Sequence, residues 1–94
     1  MNRDNTLKAA HKIVCEGREA DYGSPEQNFT LIARLWSVYL GYAIGPTDVA
    51  VMMALLKIAR IRSGKFNEDN FIDLAGYAAC AAELATPETT TGVR

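Results

Sequence analysis

An all-α bundle of four helices is the expectation for this 94-residue chain, on three grounds. Apolar residues recur at helical rather than alternating spacing. Glycine and proline punctuation falls between segments of helical length. Two segments open on a cap residue followed by proline, Ser24-Pro25 and Gly45-Pro46, a pairing that suits the first turn of a helix.

Leu7, Ala10, Val14 and Gly17 give a first helix from about Thr6 to Gly17, with the glycine as its C-terminal cap. In the second, Ser24 is the N-cap, Pro25 takes the first helical position and Gln27 stands where it completes a capping box. It runs to about Leu40, with Phe29, Ile32, Ala33, Trp36 and Leu40 as its core face, and Gly41 to Gly45 form a loop. The third helix starts at Pro46 behind Gly45, with Asp48 near its positive end, and stops near Arg62 before Ser63-Gly64. It is apolar all round, which predicts the central, most buried helix. The fourth spans about Asp69 to Leu84, with Ile72, Ala75, Ala79 and Ala82 as a small-residue face for close helix approach. Residues 1–86 thus form a single helical domain, and 87–94, rich in threonine and without periodicity, a flexible tail.

A chain this short buries only about 65% of its unfolded surface, yet 49% of its residues are apolar. That excess predicts a hydrophobic subunit interface, hence a twofold homodimer or a dimer of dimers. A net charge of −1 argues against an extended nucleic-acid surface and leaves room for a local phosphate pocket. Lys57 and Arg60 interrupt the longest apolar run, so no membrane span is expected, and Met1 to Lys12 lacks a signal-peptide core. Cys15 and Cys80, not in a CxxC, read as buried free thiols of a cytoplasmic protein. The lone histidine, His11, reads as a surface residue.

Chemistry is sought where charge sits on apolar helix. Between Val49 and Ile61 almost every residue is apolar; Lys57 and Arg60 are the exceptions, about 60° apart on one face. Charges on a largely buried helix are costly unless paired or liganded. On the fourth helix Asn70, Asp73 and Tyr77 share a face, and a short connection predicts that helices three and four are antiparallel neighbours whose polar stripes meet. Two solutions compete. Asp69 and Asp73 neutralise Lys57 and Arg60 in a structural ion-pair network, or the cations hold a phosphate while the carboxylates hold a divalent cation. A second candidate is the Asp21-Tyr22-Gly23 turn, where Tyr22 either stacks on a base or packs the loop on the bundle, with Asn28 facing the same end.

The segments Asp21-Tyr22-Gly23-Ser24-Pro25-Glu26-Gln27-Asn28-Phe29, Leu35-Trp36-Ser37-Val38-Tyr39-Leu40-Gly41, Asp48 through Arg60, and Asp69-Asn70-Phe71-Ile72-Asp73-Leu74-Ala75-Gly76-Tyr77 together resemble a family of short phage and prophage proteins of unknown function. More remotely the layout is similar to the MazG-like all-α NTP pyrophosphohydrolases, which bind magnesium through helical acids. Asn70-x-x-Asp73 falls on their E-x-x-D motif with Asn in place of Glu, and their E-E-x-x-E motif has no counterpart. The resemblance implies a MazG-like bundle in the cytoplasm of a bacterial host, acting on a nucleotide by binding or by pyrophosphohydrolysis. Lys57, Arg60 and Lys65 would hold phosphate, Tyr22 and Asn28 would contact the rest of the ligand, and Asp73, Asn70 and Asp69 would hold Mg2+. The alternative is a non-catalytic protein that sequesters a nucleotide signal or engages a host protein.

Overall fold

The computed structural model describes residues 1–17 and 24–87. Among them are four α-helices and no strand, as expected. Helix α1 spans Arg3–Lys12 and begins earlier than its apolar periodicity suggests, because Asn2 caps it: Asn2 Oδ1 accepts the Asn5 N–H at 2.8 Å. It continues as a π-helical turn, Ile13–Gly17, where a regular helix was expected. Helix α2 spans Pro25–Leu40, and its predicted capping box forms. Ser24 Oγ accepts the Gln27 N–H at 3.1 Å, while Gln27 Oε1 accepts the Ser24 N–H at 3.3 Å. Gly41 ends α2 at φ 83°, a left-handed conformation that glycine adopts without strain.

Helix α3 spans Pro46–Ser63. Glycine offers no side chain at its cap, so Asp48 reaches back and its Oδ2 accepts the Gly45 N–H at 2.8 Å. Helix α4 spans Glu68–Ala85, capped by Asn67, whose Oδ1 accepts the Asp69 N–H at 2.9 Å. The most extensive packing joins α3 to α4; α2 lies mainly on α3, and α1 with its π turn on α4. The core is Phe29, Ala33, Val49, Ala50 and Cys80, with Trp36, Ile44, Met53 and Tyr77 packed against it.

Three expectations are corrected. Helix α3 is not the most buried element: only Val49 and Ala50 are buried, whereas α4 buries Asn70, Ile72, Gly76 and Cys80. Helices α2 and α4 make the extensive contacts of α3, and on its opposite side Leu55 is 58% exposed. Cys15 is exposed, although Cys80 is buried. The close approach onto α4 is made by Gly76 rather than by the alanine face: Ala79 and Ala82 are exposed, while a Cβ on Gly76 would stand 3.0 Å from Val14 Cγ1. Among the described residues no helix is long and apolar enough to cross a membrane.

Candidate functional site

The two polar stripes meet, in a definite register. Lys57 Nζ lies 3.0 Å from Asp73 Oδ2, with the lysine side chain 11% and the aspartate side chain 30% exposed. On α3, Met53, Lys57 and Arg60 descend one face; on α4, Tyr77, Asp73 and Asn70 ascend the matching one. The ion pair sets Lys57 level with Asp73, and the pocket linings place Met53 with Tyr77 on one side of it and Arg60 with Asn70 on the other. Burial makes the pairing necessary, since an isolated ammonium in so shielded a position would lose its hydration without compensation.

On the Tyr77 side lies a cavity of about 200 Å³, walled by α1, its π turn, α2, α4 and Met53 of α3. Its lining is mainly apolar, including Ile13, Val14, Phe29 and Ile32, and its polar groups are Asn28, Asp73 and Tyr77. The π turn matters here because it delivers the consecutive residues Ile13 and Val14 to the same wall. Phe29 and Tyr77 meet with ring centroids 6.2 Å apart and planes tilted by 49°, which presents an aromatic corner to the space. Neither the Asn28 nor the Tyr77 side chain has a hydrogen-bond partner among the described residues.

On the Arg60 side, an open recess of about 610 Å³ lies over the turn joining α3 to α4. Arg60, Ser63, Lys65, Asn67, Glu68 and Asn70 line it. Arg60 and Lys65 are exposed and form no ion pair among the described residues, and Asn70 is buried with its side chain bordering the recess. Arg60 and Lys65 outweigh the Glu68 carboxylate in this open hollow, and the excess positive charge suits an anion.

The residues expected to act as one site are therefore divided. Asn28 and Asp73 border the cavity, Arg60, Lys65 and Asn70 border the recess, and Lys57 is committed to Asp73 between them. Asp69 is exposed in the first turn of α4, and among the described residues no group of three His, Cys, Asp or Glu side chains converges as a metal cluster. With Asp73 neutralised by Lys57, this donor set does not fit magnesium, which needs carboxylates free to hold it. Tyr22 and its turn lie outside the described residues. His11 is exposed, as expected, with Nδ1 3.4 Å from Glu16 Oε2. Sequence reasoning missed the cavity's apolar wall; Gly76, whose lack of a side chain admits Val14, was the available signal.

Residues 5–85 match the model of a domain of unknown function, DUF6378. The chain is 40% identical over 81 residues to the Gene 55 protein of Mycobacterium phage D29, covering 86% of this chain and 54% of that protein. It is 42% identical over 83 residues to the Gene 55 protein of Mycobacterium phage L5, covering 87% and 53%. The chain thus spans about half the length of these curated relatives. No solved structure matches it.

Proposed function

The chain belongs to the DUF6378 family, a phage protein family of unknown function, and on that premise we propose that it binds a nucleotide without hydrolysing it. The observation that carries this reading is the commitment of Lys57 to Asp73. It removes the best-placed phosphate donor and the best-placed metal ligand from chemistry together. Hydrogen-bonding groups remain on either side of the pair. Asn28 and Tyr77 edge an apolar cavity whose volume lies below the roughly 300–1,000 Å³ of drug-sized sites. Such a space takes a ring-sized group, and an amide beside an aromatic corner suits the edge and face of a nucleobase. Arg60 and Lys65 carry the charge that phosphate requires, and the ion pair stands between the two halves of the ligand. Sequestration of a nucleotide in the host cytoplasm is the corresponding role.

A thermal-shift panel tests the reading, because a ligand held only by the folded state raises the melting temperature by mass action. Nucleoside monophosphates, diphosphates and triphosphates are compared with nucleosides and inorganic phosphate, with and without magnesium. At least one nucleotide is expected to raise the melting temperature more than its nucleoside or phosphate alone, unchanged in composition after incubation. A flat response across the panel overturns binding. Release of phosphate or pyrophosphate with magnesium overturns the non-hydrolytic assignment and restores the MazG-like alternative.

A further inference from the structure

The largest unexplained feature is apolar surface on the side of α2 and α3 away from the core. On α2, Leu31, Leu35 and Val38 lie opposite the core residues Phe29 and Ala33, and Val38 is 82% exposed. On α3, Val51, Leu55 and Ile58 lie opposite Val49, Ala50 and Met53. The two helices pack on each other through their core sides, so each stripe faces outward from its own helix. On α3, Val51, Leu55 and Ile58 are each left about half exposed.

The pattern along α3 says what covers this face. Asp48, Val51, Leu55, Ile58 and Arg62 follow one another at spacings of three and four, the interval of a coiled-coil seam. The seam is acidic at one end and basic at the other, and Asp48 and Arg62 each stand seven residues from Leu55. A stripe of this kind is complementary to itself when reversed. We propose that a second copy of this chain seats on this face across a twofold axis at Leu55, with the two α3 helices antiparallel and Asp48 of each copy facing Arg62 of the other. Both groups are exposed, and Arg62 has no ion-pair partner among the described residues. Asp48 uses Oδ2 for the Gly45 N–H and keeps Oδ1 for the contact. The apolar seam holds the copies together, and the end charges select the antiparallel alignment. This inference is independent of any ligand.

Sedimentation equilibrium on charge-reversed variants is the test. The native chain is expected at twice its 10.3 kDa mass. Arg62→Asp alone places acid against acid at both ends, and Asp48→Lys alone places base against base. Each is expected at the single-chain mass, while an equimolar mixture of the two returns to the double mass, because each then meets its opposite. Leu55→Glu is expected to be helical by circular dichroism and monomeric; it and Arg62→Asp touch no helix cap and carry the test should Asp48→Lys unfold. A native chain that stays at 10.3 kDa at every concentration overturns the proposal, as does a dimer unaffected by Leu55→Glu and Arg62→Asp. Folded single variants that do not restore the dimer on mixing overturn the antiparallel pairing.

Discussion

Lys57 and Asp73 are joined at 3.0 Å across the α3–α4 contact, and everything around them takes its level from that pair. One turn toward the start of α3 lies Met53, beside the cavity; one turn toward its end lies Arg60, beside the recess. The pair divides the polar groups of the protein into two sets and leaves each set with unpaired hydrogen-bonding capacity.

The α2–α3 corner depends on one hydroxyl. Ser37 Oγ donates to the Ala33 carbonyl at 2.7 Å and accepts the Ile44 N–H at 2.9 Å. Ser37→Ala leaves that half-buried N–H without its partner, so a loss of about 1–2 kcal/mol is expected in a denaturant melt. Ser37→Thr, which keeps the hydroxyl, is expected to recover much of it.

At Gly76, helix propensity and packing point in opposite directions. Alanine is the better helix former by about 1 kcal/mol. Its Cβ, however, would stand 3.0 Å from Val14 Cγ1, and overpacking of this kind costs about 1–3 kcal/mol. Gly76→Ala is therefore expected to lower the melting temperature by several degrees, and Gly76→Ala with Val14→Ala to recover most of the loss. A rise with the single substitution would mean that α1 and its π turn yield at no cost.

The two halves of the proposed ligand site separate by variant and by salt. Asn28→Leu and Tyr77→Phe are expected to weaken binding of nucleoside and nucleotide alike, measured by calorimetric titration. Arg60→Ala with Lys65→Ala is expected to weaken only the nucleotide and to flatten the salt dependence of its affinity, because exposed charges are the ones that salt screens.

Local chemistry was legible in the sequence. The caps at Ser24 and Gly45 and the meeting of the α3 and α4 polar stripes follow from residue types at fixed spacing. The fate of Arg60 was not. It shares a face with Lys57, but the antiparallel register sets it level with Asn70 rather than with an acid, and register depends on where both helices begin. The exposure of α3 escaped for a related reason. An apolar surface all round a helix states that it is to be covered, not that its own chain covers it; Val51, Leu55 and Ile58 carry the same signal as Val49 and Ala50 but are left about half exposed. The π turn was invisible because Leu7, Ala10 and Val14 keep helical spacing up to the point where the winding changes.

A double-mutant cycle at the central pair decides whether Lys57 and Asp73 act together, read by urea melts of the native chain, Lys57→Met, Asp73→Asn and the double variant. Each single change strands a largely shielded polar group, so a loss of roughly 1–3 kcal/mol is expected for each, with the double variant less destabilised than the two losses combined by about 1 kcal/mol or more. Single variants as stable as the native chain, with no coupling in the double variant, would show that Lys57 and Asp73 ignore each other in solution and would return both to the groups available for phosphate and metal.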